Sequence, residues 1–80
     1  MKKKIKTPGA MLLDQIKKHN TNIYAASKDM SISQTALRLV SLNESRITTA
    51  IAVKLSKYFK VPVRNWLIAQ MEYDLSLHGL

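Results

Sequence analysis

Five short apolar patterns at helical spacing lie between Thr7 and Leu77, and each follows a capping residue or a proline: Thr7-Pro8, Asn22, Ser33, Thr48 and Pro62. Side-chain oxygens of Thr, Asn and Ser accept from the unpaired N–H groups of a first helical turn, and proline fits that turn because its missing donor is not needed there. This punctuation predicts an all-α chain, a five-helix bundle. Two glycines and two prolines in 80 residues are too few turn formers for a β-sandwich, and 46% apolar residues are too many for a disordered chain. Eighty residues fit one domain and exclude a multi-domain enzyme.

The first helix is expected to start after Thr7, with Leu12, Leu13 and Ile16 as its apolar side and Lys17, Lys18 and His19 in the last turn, where cations suit the helix dipole. Asn22 caps a second helix to about Met30, with Ile23, Ala26, Ser27 and Met30 at i, i+3, i+4, i+7 spacing. Ser33 caps a third helix through about Leu42 that buries Leu37 and Val40. Two short helices joined by the tight break at Ser31-Ile32 form a helix-turn-helix. Thr48 caps a fourth helix with Ile51, Ala52, Leu55 and Phe59 as its stripe, and Ile47 staples onto it. Pro62 ends that helix, since residues before proline avoid the α region. A fifth helix runs from about Val63 to Leu77, with Val63, Trp66, Leu67, Gln70, Tyr73 and Leu77 at helical spacing.

Thirteen Lys plus Arg against five Asp plus Glu give a net charge of +8, which points to a polyanionic partner. Residues 1–6 are expected to form a flexible basic tail and 7–80 a single domain. Lys2, Lys3, Lys4 and Lys6 are either a solvated terminus or an arm that touches nucleic-acid backbone. No cysteine is present to form a disulfide or a Cys-based zinc site, and His19 and His78 have no carboxylate at ligand spacing, so neither a metal nor a cofactor is expected. No nucleophile motif or glycine-rich phosphate loop appears, and no enzyme is proposed. The longest apolar runs are four residues, such as Trp66 to Ala69, far short of the roughly 20 that cross a bilayer. The expected place is the cytoplasm, with no membrane association and no ordinary signal peptide.

The motifs Thr7-Pro8-Gly9, Ile32-Ser33-Gln34-Thr35-Ala36-Leu37, Ile47-Thr48 with Ala52-Val53-Lys54-Leu55, and Trp66-Leu67-x-x-Gln70-x-x-Tyr73-Asp74-Leu75 carry a resemblance. From Thr7 to Leu75 the chain resembles the HigA-like antitoxins of the Cro/CI or XRE-type helix-turn-helix superfamily, whose fold is the lambda-repressor-like domain. It departs from that family in having Ser31 where a turn glycine is usual, Leu42-Asn43 where Asn-Gly is usual, Ala10 in place of a glutamate, and Ile23 in place of a frequent glutamine. The resemblance implies a repressor of bacterial, plasmid or phage origin that controls its own operon and neutralises an RNA-cleaving toxin of the RelE-like class. Such toxins tend to be basic, so the charge of this chain favours DNA over a toxin as the principal target.

In a helix-turn-helix the second helix enters the major groove and its N-terminal residues reach base edges. Those residues are Ser33, Gln34, Thr35 and Arg38. The Gln34 amide matches the N6 and N7 edge of adenine, Thr35 offers a hydroxyl and a methyl, Ala36 a methyl for thymine, and Arg38 suits guanine or a phosphate. Expected backbone contacts are Asn22, Tyr24 and Lys28 on the second helix and Ser41, Asn43, Ser45 and Arg46 after the third. Trp66, Leu67, Gln70, Tyr73 and Leu77 are read as core or as the seam of a homodimer, which would place two reading helices about 34 Å apart on a palindromic operator. The alternatives are a stand-alone phage or plasmid repressor of Cro type without a toxin, a protein-interaction adaptor using the helices as scaffold, and a non-specific nucleic-acid coat.

Overall fold

The computed structural model describes residues 6–80; Lys2, Lys3 and Lys4 of the basic segment lie outside them. Five helices follow in order, α1 (Pro8–Lys18), α2 (Ile23–Met30), α3 (Gln34–Ser41), α4 (Thr49–Phe59) and α5 (Val63–Leu77), with no strand among the described residues. The expected starts agree with the capping geometry. Side-chain oxygens of Thr7, Asn22, Ser33 and Thr48 accept the N–H groups of Ala10, Ala25, Ala36 and Ile51 at 3.1, 2.8, 3.0 and 3.3 Å. α5 starts at Pro62 without a side-chain cap.

Each helix is followed by a residue in the left-handed region: Asn20, Ser31, Asn43, Lys60 and Gly79, with φ of 54, 56, 60, 62 and 75°. Behind four of them an N–H reaches back to the last turn: Thr21 to Ile16, Ile32 to Ser27, Glu44 to Leu39 and Leu80 to Leu75. These are Schellman-type ends, which satisfy carbonyls that the helix leaves unpaired. Two asparagines, a serine and a lysine take the place that glycine usually fills.

α1 packs on α3 and α5, α4 on α5, and α2 on α3 and α4. Leu12, Ile16, Ala26, Met30, Leu37, Val40, Ile47, Ala52, Leu55, Phe59 and Trp66 form one core. Ser27 is buried among them because its hydroxyl donates to the Tyr24 carbonyl at 2.7 Å. Leu13 departs from expectation and is 47% exposed. Neighbouring helical residues diverge by about 100°, and the face set by Gly9, Leu12 and Ile16 leaves Leu13 at its edge.

On the fifth helix the packing separates residues that the sequence left open between core and seam. Trp66 and Gln70 are buried within their own chain and Leu67 packs on the core, so these three are core and not a seam. Tyr73 is half-buried, while Leu77, at the end of the helix, is 66% exposed. The apolar side chains of α5 that face outward are Ile68, Met71 and Leu75.

Candidate nucleic-acid interface

The third helix is held from one side. Leu37 and Val40 are buried, and the Ser33 hydroxyl caps the first turn. Gln34, Thr35 and Arg38 stand on the exposed side, with Ser33 also exposed at the cap. All four residues expected to read bases are therefore accessible. Ala36 is half-buried, which leaves Thr35 as the better placed methyl for a thymine. Exposed Leu42 continues the same ridge one turn beyond Arg38, without a warning in the sequence pattern.

The turn before α3 is set by contacts that sequence reasoning missed. The Lys54 ammonium donates to the Ser31 carbonyl at 3.1 Å, and the Tyr58 hydroxyl donates to the Asp29 carboxylate at 2.8 Å. The first ties α4 to the left-handed turn and the second ties it to the last turn of α2. The partners are 23 and 29 residues apart, with no local pattern that pairs them.

The expected backbone contacts divide. On α2, exposed Asn22 caps the helix with its carbonyl oxygen, and the Lys28 ammonium lies 5.3 Å from the centre of the Tyr24 ring. That cation–π contact brings Tyr24 and Lys28 together on a solvent-facing surface. Ser41 is less available, since its hydroxyl donates to the Arg38 carbonyl at 2.6 Å. Asn43 is committed to the fold: its carbonyl oxygen accepts the Gly9 N–H at 2.8 Å and its amide donates to the Thr7 hydroxyl at 3.1 Å. Thr7-Pro8-Gly9 is thus tied to the end of α3. A Cβ on Gly9 would run into the Ser41 carbonyl oxygen and come within 2.9 Å of the Asn43 side chain, so the approach requires glycine.

Ser45 is half-buried and Arg46 exposed, and both line a shallow cleft against α5 with Asn43, Gln70 and Asp74. Gln70 accepts the Ile47 N–H at 2.8 Å and donates to Asp74 at 3.0 Å, and Asp74 pairs with the Arg46 guanidinium at 2.7 Å. The Arg46 hydrogen bond, followed by that of Gln70, holds the Asp74 carboxyl below its ordinary value of 3.8. The α3–α4 loop is therefore buckled to α5.

The first turns of these helices are free of acids, so the positive ends of the helix dipoles at Asn22, Ser33 and Thr48 are left uncompensated for an anion. Lys6 of the basic segment pairs with Asp14 on α1. Among the described residues no three His, Asp or Glu side chains group to hold a metal, and no helix is long and apolar enough to cross a membrane.

The chain superposes on the Pseudomonas aeruginosa antitoxin HigA, solved with the higBA promoter, at a TM-score of 0.84 and 22% identity, over 90% of this chain and 79% of that one. This is the HigA antitoxin fold. A second Pseudomonas aeruginosa protein, solved with its 18-bp operator DNA, matches at a TM-score of 0.86 and 20% identity, over 96% of this chain and 84% of its own. A hypothetical protein from E. coli matches at 0.83 and 27% identity, over 90% and 74%. No family model and no curated protein matches the chain. The likeness to HigA thus lies in the shared fold, and the resemblance read from the sequence motifs agrees with it.

Proposed function

We propose that this chain is a sequence-specific DNA-binding repressor that sits as two copies on a palindromic operator, with α3 in the major groove of each half-site. The carrying observation is the ridge of Gln34, Thr35 and Arg38, exposed on a helix whose opposite side is locked into the core by Leu37 and Val40. An exposed polar ridge on a rigid helix, next to acid-free helix N-termini, suits base readout flanked by phosphate contacts. Asn22, Tyr24, Lys28, Ser45 and Arg46 supply those contacts through side chains, while the Ser41 and Asn43 side chains are engaged within the fold and leave only their backbone for the same duty.

The HigA fold supports the further reading that the chain is the antitoxin of a toxin–antitoxin module, acts in the cytoplasm and represses its own operon. Neutralisation of an RNA-cleaving toxin is the remaining part of that reading. The net charge of +8 favours DNA as the principal target, which keeps the stand-alone repressor as the second reading.

Selection from a random duplex library at physiological salt tests the proposal, run on the wild type and on Gln34→Ala. Enrichment of a palindrome with half-sites about 10 bp apart is expected, with specificity relaxed at one position in the variant at a cost of about 1–3 kcal/mol. Absence of any enriched sequence overturns the repressor reading in favour of an adaptor or a non-specific coat.

A further inference from the structure

The exposed ridge of α3 ends in a side chain that cannot bind a phosphate. Leu42 caps the helix at its C-terminal end and is 53% exposed. Among the described residues it belongs neither to the core nor to the half-buried side chains packed against it. It stands one turn beyond Arg38 and two turns beyond Thr35 on the same side of the helix, away from buried Leu37 and Val40. Gln34, Thr35, Arg38 and Leu42 therefore form one row, polar at three positions and apolar at the last.

The backbone on both sides of this leucine is fixed. Its N–H donates to the Arg38 and Leu39 carbonyls, each at 3.2 Å, and Asn43 behind it is locked by side-chain hydrogen bonds to Gly9 and Thr7. The isobutyl group is thus presented outward from a rigid mount. It has no donor for a phosphate oxygen, and pressing it on one would strip water from a charge without return. In the major groove the base edges offer one apolar group, the C5-methyl of thymine.

We infer that Leu42 is a base-reading residue that selects thymine by packing on its C5-methyl. This role rests on the DNA reading proposed above and adds one position to its specificity. Leu42 lies about 10 Å along the helix from Thr35, which is about three base pairs of duplex. The row then reads by hydrogen bonds at its N-terminal end and by apolar contact at its C-terminal end, and the half-site is longer than the first turn of α3 alone would reach. Because the contact is to the methyl group and not to a hydrogen-bonding edge, 5-methylcytosine satisfies it as well.

Removal of single methyl groups from the operator tests this role. The selected operator is rebuilt with deoxyuridine in place of one thymidine at a time, and affinities are measured by fluorescence anisotropy for wild type, Leu42→Ala and Leu42→Met. Uracil keeps every hydrogen-bonding group of thymine and lacks only the methyl. In each half-site one thymine is expected at which wild type loses about three- to fivefold in affinity, the factor that burial of one methyl supplies. Leu42→Met should keep that discrimination, whereas Leu42→Ala should bind both duplexes alike with its helical circular dichroism retained. At the same site, cytosine should gain a similar factor on 5-methylation with wild type and none with Leu42→Ala. Sensitivity to uracil that Leu42→Ala retains at every responsive thymine belongs to Thr35 or Ala36 and overturns the inference. An enriched palindrome in which no thymine responds through Leu42 also overturns it and leaves the repressor reading standing. Absence of any enriched sequence overturns both.

Discussion

Gln70, buried on α5, accepts the backbone N–H of Ile47 at 2.8 Å across 23 residues of sequence. It is a buried polar side chain between the helix and the loop that follows α3, and its other end is satisfied by Asp74. Gln70→Ala removes the acceptor, leaves the Ile47 N–H buried without a partner and opens a small cavity. Destabilisation of about 2–4 kcal/mol is expected in urea unfolding. A change below about 1 kcal/mol would show that Ile47 packing and the Arg46–Asp74 pair hold the loop without the Gln70 hydrogen bond.

Helix starts were legible because they are local. Thr7, Asn22, Ser33 and Thr48 each satisfy an N–H three residues away, and that information lies within one turn of chain. Helix ends were legible to within a residue as well, at Met30, Leu42 and Leu77 against the observed Met30, Ser41 and Leu77, although Ser31 and Asn43 take the left-handed conformation that glycine advertises more plainly. The outward and inward faces of α5 could not be separated from the pattern, since both are apolar and only the packing of α1 and α4 decides which is covered. Gln70 did leave a signal. A glutamine in register with Trp66 and Val63 must find a buried partner, although the sequence cannot name Ile47 as that partner.

Asn43 holds both ends of a contact between the start of α1 and the end of α3 while its own φ is 60°. Two substitutions separate those duties. Asn43→Gly keeps the left-handed backbone and loses only the side-chain hydrogen bonds, for an expected cost of about 1–2 kcal/mol. Asn43→Ala loses both and should cost about 1 kcal/mol more. Gly9→Ala, which drives a methyl against the Ser41 carbonyl, should cost about 2–4 kcal/mol and combine non-additively with Asn43→Gly, because the two share one contact. Thermal unfolding of the single and double variants measures all three.

Ser31 closes α2 with φ of 56°, and its side chain makes none of the hydrogen bonds that hold the turn. Relief of the left-handed strain outweighs the extra freedom that glycine brings to the unfolded chain. Ser31→Gly should therefore stabilise the protein by about 0.5–1 kcal/mol. The Lys54 contact is to the Ser31 carbonyl and survives the change, so operator affinity should stay at the wild-type level in the same preparation. A loss of stability would mean that Ser31 is unstrained.

Asp74 titrates below its ordinary 3.8, held there first by the Arg46 hydrogen bond and then by Gln70. A depressed carboxyl contributes stability above its unfolded value and loses it as pH falls through the folded one. Asp74→Asn should therefore melt lower than wild type at neutral pH, and the gap should close as pH falls below about 4. Melting curves from pH 7 to pH 2 report the gap. A constant difference across that range would place the effect outside the ion pair.

Arg46 faces two partners at once. One guanidinium nitrogen holds Asp74 at 2.7 Å, yet the side chain stays 65% exposed and is free to turn a second edge to a phosphate. As a backbone contact, Arg46→Ala should weaken every DNA sequence by a similar factor and reduce the salt slope by about one. Lys28→Ala should do the same from the other flank of α3. Loss of the ion pair alone could also lower affinity, by letting the α3–α4 loop drift, and Asp74→Asn distinguishes the two causes. That variant keeps the guanidinium and removes its carboxylate competitor, so affinity should be retained or raised with the salt slope unchanged. Fluorescence anisotropy titrations at several salt concentrations decide between them: if Asp74→Asn loses as much affinity as Arg46→Ala, Arg46 acts by anchoring the loop and touches no phosphate.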